Sequence, residues 1–304
     1  MGNQTLVETR GRKRVQDVVS KLLHSLKEYF LTLKDPPQRD KRGRKREVSL
    51  SDCLMSALAM FGLKYPSLLQ FDRSVHQEEI IKHNLKTLYG VENTPCDTYM
   101  RERLDLIDPK NLRPAFSKIF RQLQRDKALE DYAYLEEGYL VSIDGSGYFE
   151  SNQIHCKNCC EKHRRNGKTA YYHQILAASL VSPEKKEVIP FCPEPIIKQD
   201  GKKKNDCELR AVKRLLTSIR EDHPYLKIIT VEDTLYGTVP HIKDLSHLKM
   251  HDIISVKPKR HKNLFDWLSG QQLDYIEFEK EGKTHRFAFF NGAPFGDLKV
   301  NFLE

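Results

Sequence analysis

The sequence predicts an α+β protein in two parts, a basic all-helical N-terminal region followed by an α/β domain with a β-rich segment at its end. Three observations predict this. Residues 1–50 carry 13 Lys/Arg against 6 Asp/Glu, so a surplus of +7 out of the chain's +9 lies there. From residue 48 to residue 135 apolar residues recur at helical spacing, bounded by Ser, Gly and Pro. After Gly138, short apolar runs alternate with amphipathic helical stretches, and two of the runs end in acids. The boundaries read as 1–47 for a basic helix and linker, 48–135 for a helical DNA-binding domain and 138–304 for the α/β domain.

The bulk composition narrows the partner. The 304 residues are 31% charged and 39% hydrophobic, with a sequence pI of about 9.0. A basic balance suits a polyanion, either nucleic acid or an acidic membrane surface. No run of about 18 apolar residues is present to span a bilayer. The segment Met1–Arg14 is polar and basic and lacks a signal-peptide core. An anionic partner in the cytoplasm is therefore the expectation. Seven cysteines without a secretory signal are expected as thiols or metal ligands rather than as disulfides.

Taken in order, Arg10-Gly11-Arg12-Lys13-Arg14 and Arg42-Gly43-Arg44-Lys45-Arg46 flank a helical pattern of Val15, Val18, Val19, Leu22, Leu23, Leu26, Tyr29 and Phe30, closed by Asp35-Pro36-Pro37. Arg-Gly-Arg can thread a narrow minor groove, or simply attract phosphates as a solvated linker. Ser49 or Ser51 caps the next helix. Glu78–Tyr89, the turn at Gly90 and a helix opened by Thr94-Pro95 resemble a helix-turn-helix, with Arg101 and Arg103 on the exposed side; an ordinary helical bundle gives the same pattern. A further helix covers 112–129. Strands are expected at Tyr139–Asp144, Thr169–Leu180, Glu187–Cys192, Leu226–Val231 and Asp252–Val256. Helices are expected at Asp206–Arg220 and Pro240–Leu248. Tyr275–Phe278 and Arg286–Phe290 read as an antiparallel pair around Glu281-Gly282-Lys283. Three strands, helix, strand, helix, strand is the order of an RNase H-like fold.

In such a sheet the first and fourth strands are neighbours, so Asp144 and Asp233 converge at their ends. Hard oxygen donors there suit Mg²⁺ or Mn²⁺ and phosphodiester chemistry. Read singly, Asp144-Gly145 is a turn and Asp233 a cap or loop acid. The surrounding text is more specific. Leu140–Phe149, Ile154–His163, Tyr171–Gln174, Pro193–Pro195, Lys198–Gly201, Lys204–Glu208 and Val231–Asp233, in this order, resemble the DDE-type insertion-sequence transposases, in the branch with a long helical N-terminal region. The resemblance runs from about residue 45 to the end. It implies an RNase H-like catalytic domain, Asp144 and Asp233 as catalytic metal ligands with Glu232 as an adjacent alternative, Mg²⁺ or Mn²⁺ as cofactor, double-stranded DNA at element ends and targets as partner, and self-association. The family's last Glu lies in a Tyr-x2-Arg-x3-Glu pattern that is not found here, and Glu304 lacks its context. The resemblance thus implies a C-terminally truncated chain with little activity alone. The alternative is a non-catalytic DNA-binding fragment that occupies element ends or inhibits an intact copy.

His155, Cys156, Cys159, Cys160 and His163 fall within nine residues and form a candidate Zn²⁺ set by donor type, with Cys192 or Cys207 as further donors. A polar loop of reduced thiols is the other reading. Arg164 and Arg165, and Lys202, Lys203 and Lys204, join Arg10, Arg12, Arg42, Arg44, Arg101 and Arg103 as candidate DNA contacts.

Overall fold

The computed structural model describes residues 18–35, 48–135, 138–198 and 205–304. The chain divides into two compact units, Met1–Asp126 and Lys127–Glu304. The protein is mixed α+β, with helices in the first unit and a large mixed sheet, a small sheet and three helices in the second. No helix among the described residues is long and apolar enough to cross a membrane.

In the first unit, α1 runs through 18–32 and buries Leu26 and Phe30. It is followed by α2 (Leu50–Gly62), α3 (Leu68–Gln77), α4 (Glu79–Tyr89), α5 (Asp97–Leu104) and α6 (Arg113–Arg125). Their inner faces share one core built on Cys53, Met55, Ala59, Phe71, Leu85 and Met100. Ser49 caps α2: its Oγ accepts from the Asp52 N–H at 3.0 Å. Asp52 then turns inward and accepts from the Glu92 N–H at 3.0 Å, tying the α4–α5 connection to α2. Ser49→Ala is expected to lower the unit's stability by about 1 kcal/mol, read as a shift of the urea midpoint without a change in slope. Sequence periodicity misses α3, whose buried face is only Phe71 and Val75. At the end of α4, Gly90 takes a left-handed conformation (φ 65°), which closes the helix as a glycine does.

One expectation on this unit is corrected. Arg103 is not on an exposed side: it is 1% exposed and pairs with Asp35. The cause is helical geometry, since Met100 and Arg103 lie three residues apart on the inner face of α5. Arg101 faces outward and pairs with Asp97 at 2.8 Å.

The second unit is organised by one long strand, β2 (Gly138–Ser151). It pairs antiparallel with β4 (Thr169–Val181) along its length and parallel with β7 (Ile228–Glu232), which pairs parallel with β8 (His251–Ile254). The path is β3-β4-β2-β7-β8, where β3 is Cys160–His163; β1 (Ala133–Tyr134) joins β2, and β5 (Ile189–Pro190) and β6 (Glu194–Ile196) join β4. On this path β2 is central, with antiparallel β4 on one side and parallel β7, then β8, on the other. The helix α7 (Glu208–Asp222) packs on β4 and β6 through its apolar stripe Ala211, Val212, Leu215, Leu216 and Ile219. The helix α8 (Val239–His247) returns the chain from β7 to β8.

Three features of this unit lie beyond the sequence expectations. β2 runs on past Asp144 to Ser151, and β3 and β6 add short edge pairings to β4. A helix, α9 (Lys262–Leu268), precedes the small sheet. That sheet is a meander of β9 (Asp274–Lys280), β10 (Lys283–Phe295) and β11 (Leu298–Leu303). Its first hairpin turns on two residues, Glu281 (φ 54°) and Gly282 (φ 72°), both left-handed as a tight primed turn requires. Leu264, Leu268, Ala293 and Phe302 make its core.

A single side chain locks the C-terminal end of α7. Arg220 donates from Nε to Leu248 O (2.8 Å), from Nη1 to the carbonyls of His223 (3.1 Å), Pro224 (3.2 Å) and Leu226 (2.9 Å), and from Nη2 to Lys249 O (3.1 Å). It joins the end of α7, the approach to β7 and the α8–β8 turn.

Candidate functional site

The β2–β7 register sets the site. The pairing runs from Tyr139↔Ile228 to Ser142↔Val231. Counting two residues further along each chain gives Asp144, midway along β2, and Asp233, just past the end of β7, both exposed. Each carboxylate accepts a local backbone N–H: Gly145 N–H to Asp144 Oδ1 at 2.8 Å, and Leu235 N–H to Asp233 Oδ1 at 2.7 Å.

A third carboxylate, absent from the sequence expectations, stands beside them. Glu208 is the first residue of α7. Its Oε1 accepts from Gln174 Nε2 at 2.5 Å and its Oε2 from the Tyr236 hydroxyl at 3.4 Å. It lies so close over β2 that a Cβ on Gly145 would come within 2.4 Å of its Oε1. Any side chain at 145 would therefore have to push the flexible Glu208 carboxylate aside.

Tyr236 reports the combined field. It is 1% exposed. Burial, and then the negative charges of Glu208, Glu232, Asp233 and Asp144, push its phenol far above the ordinary tyrosine range, so the hydroxyl stays a donor. Among the described residues, neither Asp144, Glu208 nor Asp233 has a Lys, Arg or His ion-pair partner. The three do not form a group whose oxygens all lie within 4.8 Å of one another. Uncompensated hard donors fit a hard divalent cation such as Mg²⁺ or Mn²⁺.

Glu232, the adjacent alternative, is placed differently. It is buried at 4% exposure and its Oε2 lies 2.6 Å from His241 Nε2. Successive strand residues face opposite ways, so Glu232 points into the unit while Asp233 lies at the surface.

A second cluster lies on the β2–β3 connection. Cys156 Sγ and Cys159 Sγ are 3.7 Å apart, and each lies 3.3 Å from His173 Nε2 on β4. Burial raises the Cys159 thiol above its usual range and holds His173 below the usual imidazole range. The sequence set is brought together only in part. His155 stacks on Tyr171 with centroids 4.3 Å apart, Cys160 Sγ faces Ile196 O at 3.5 Å, and His163 Nδ1 contacts Thr169 Oγ1 at 3.0 Å. His173 was not foreseen.

Of the candidate DNA contacts, Arg164 is exposed and pairs with Glu150, and Arg165 is exposed. Arg10, Arg12, Arg42, Arg44, Lys202, Lys203 and Lys204 lie outside the described residues.

No protein-family model matches the chain, and no curated protein matches it. Among solved structures, the chain is similar to a piggyBac transposase seen by cryo-EM in a synaptic complex with hairpin DNA. The identity is 13% and the TM-score 0.36, over 95% of this chain and 58% of that one, so this chain spans less than two thirds of that protein's length. A likeness that distant does not bear on function.

Proposed function

We propose that this protein is a DNA transposase of the DDE type, whose α/β unit cuts and joins phosphodiesters with Mg²⁺ or Mn²⁺ held by Asp144 and Asp233. The observation that carries this is the register: it brings two exposed carboxylates, with no ion-pair partner among the described residues, side by side where β7 ends against β2. Glu208 adds a third from α7, oriented by Gln174 and Tyr236. When bound, the ions would polarise the phosphate and activate the attacking water or 3′-hydroxyl. Tyr236, kept protonated, would donate to Glu208 and hold it toward the cluster rather than take up a proton itself. The basic surplus of residues 1–50, with Arg164 and Arg165, would attract the DNA backbone and make affinity fall steeply with salt.

The test is incubation of the purified chain with supercoiled plasmid and Mg²⁺ or Mn²⁺. The reading requires nicked or linear products that vanish with a chelator, in low yield because the Tyr-x2-Arg-x3-Glu pattern is not found here. A second reading, a DNA-binding protein that does not cleave, is favoured by the Tyr-x2-Arg-x3-Glu pattern not found here and by the three acids, which do not all lie within 4.8 Å of one another. Salt-dependent DNA binding without metal-dependent cleavage would establish that reading instead. Absence of both would sink the two together.

Gly145→Ala probes the three-acid arrangement without removing an acid. The new methyl would displace a flexible carboxylate, not backbone, so the fold should be retained. Mn²⁺ affinity, measured by calorimetry without DNA, is expected to fall roughly 10-fold, as when an orienting partner of a metal ligand is lost. Unchanged affinity would remove Glu208 from the site.

A further inference from the structure

We propose that Cys156, Cys159 and His173 hold a zinc ion that clamps the β2–β3 connection onto β4. Among the described residues, they are the one group of three His, Cys, Asp or Glu side chains whose donor atoms all lie within 4.8 Å of one another. The spacing fits an ion at their centre. Zn–S bonds of about 2.3 Å and Zn–N bonds of about 2.0 Å in a tetrahedron place sulfurs about 3.8 Å apart and sulfur from nitrogen about 3.5 Å. The observed separations are 3.7 Å and 3.3 Å. Two thiols and an imidazole are soft and borderline donors, which select zinc over the magnesium class.

The surroundings are built for it. The Cys156 N–H points at Cys159 Sγ at 3.3 Å, and the Cys159 N–H donates to Cys156 O at 3.2 Å, so the Cys-x-x-Cys turn presents both sulfurs to one side. The His173 ring is fixed by Tyr148, stacked at 5.8 Å, and Phe149, at 5.7 Å. On binding, each thiol releases its proton to solvent and His173 coordinates through Nε2. Three protein donors leave one tetrahedral position for water.

The clamp has a structural purpose that the fold makes visible. His173 is followed on β4 by Gln174, whose side chain holds Glu208. Fixing the backbone at 173 fixes the point from which Gln174 reaches across to the acids. The zinc site and the acid site therefore use adjacent residues of one strand while binding different classes of ion.

The test uses the full chain, purified under reducing conditions. Elemental analysis should find about one zinc per chain in the wild type and in His163→Gln and Cys207→Ser. It should fall below about a tenth of that in Cys159→Ser and His173→Gln. Because a variant can fail to fold, two measurements on the wild type stand beside these. Cobalt(II) replacing zinc should give tetrahedral ligand-field bands with sulfur-to-cobalt charge transfer, and zinc should protect Cys156 and Cys159, but not Cys207, from alkylation. Equal zinc in wild type and folded His173→Gln would overturn the proposal. So would a wild type whose Cys156 and Cys159 are shown reduced by mass spectrometry and which takes up neither ion.

Discussion

Asp144→Asn is expected to abolish metal-dependent DNA cleavage, by at least about 100-fold, the upper figure for losing even an outer partner of a metal ligand. Asn keeps the size and one carbonyl oxygen, so the local bond from the Gly145 N–H can persist and the fold should be unchanged. What it removes is a charge that no Lys, Arg or His among the described residues balances. Asp233→Asn should behave alike, because the register makes the two positions equivalent partners across neighbouring strands. Glu232→Gln should not: it breaks a buried contact with His241 and should appear as lost stability with residual activity in the folded fraction. Plasmid cleavage read beside circular dichroism separates these outcomes. Full activity of a folded Asp144→Asn variant would end the two-carboxylate reading.

The largest stability effect is expected at Arg220. Its guanidinium serves five backbone carbonyls from the end of α7, the start of β7 and the α8–β8 turn. Truncation to Ala leaves several of those acceptors without a partner, and charge-assisted bonds are the stronger kind. Arg220→Ala should cost about 3 kcal/mol, at roughly 2–4 °C of melting temperature per kcal/mol for a unit of this size. Arg220→Lys should recover little, because an ammonium cannot reproduce the planar fork. A melting temperature within a degree or so of wild type would show the carbonyls well served by water.

How much of this was legible in the sequence depends on how local each signal is. Asp144 and Asp233 follow apolar runs, so both the runs and the acids that close them are written in consecutive residues. Glu208 is not legible that way. An acid in the first turn of a helix reads as a partner of the helix dipole, and its importance appears only when α7 is laid against Gly145, 63 residues earlier in the chain. The cysteine cluster shows the opposite error. Proximity in sequence grouped His155 and His163 with the thiols, whereas the β3–β4 hairpin carries His163 away to Thr169 and brings His173 in. Arg103 misled for a third reason: a positive charge was assumed to face water, while Asp35 allows it to be buried.

The distances in sequence between residues 144, 208 and 233 have a thermodynamic consequence. The three come to one side of the sheet only when β2, α7 and β7 are all in place, so a cation held there as proposed would bind the folded chain and have almost no affinity for the unfolded one. Mass action would then make the ion a folding ligand whether or not DNA is ever cut. Each tenfold excess over its dissociation constant would add about 1.4 kcal/mol to the second unit's stability. Occupancy of the site could therefore be titrated from melting curves alone, with no substrate present.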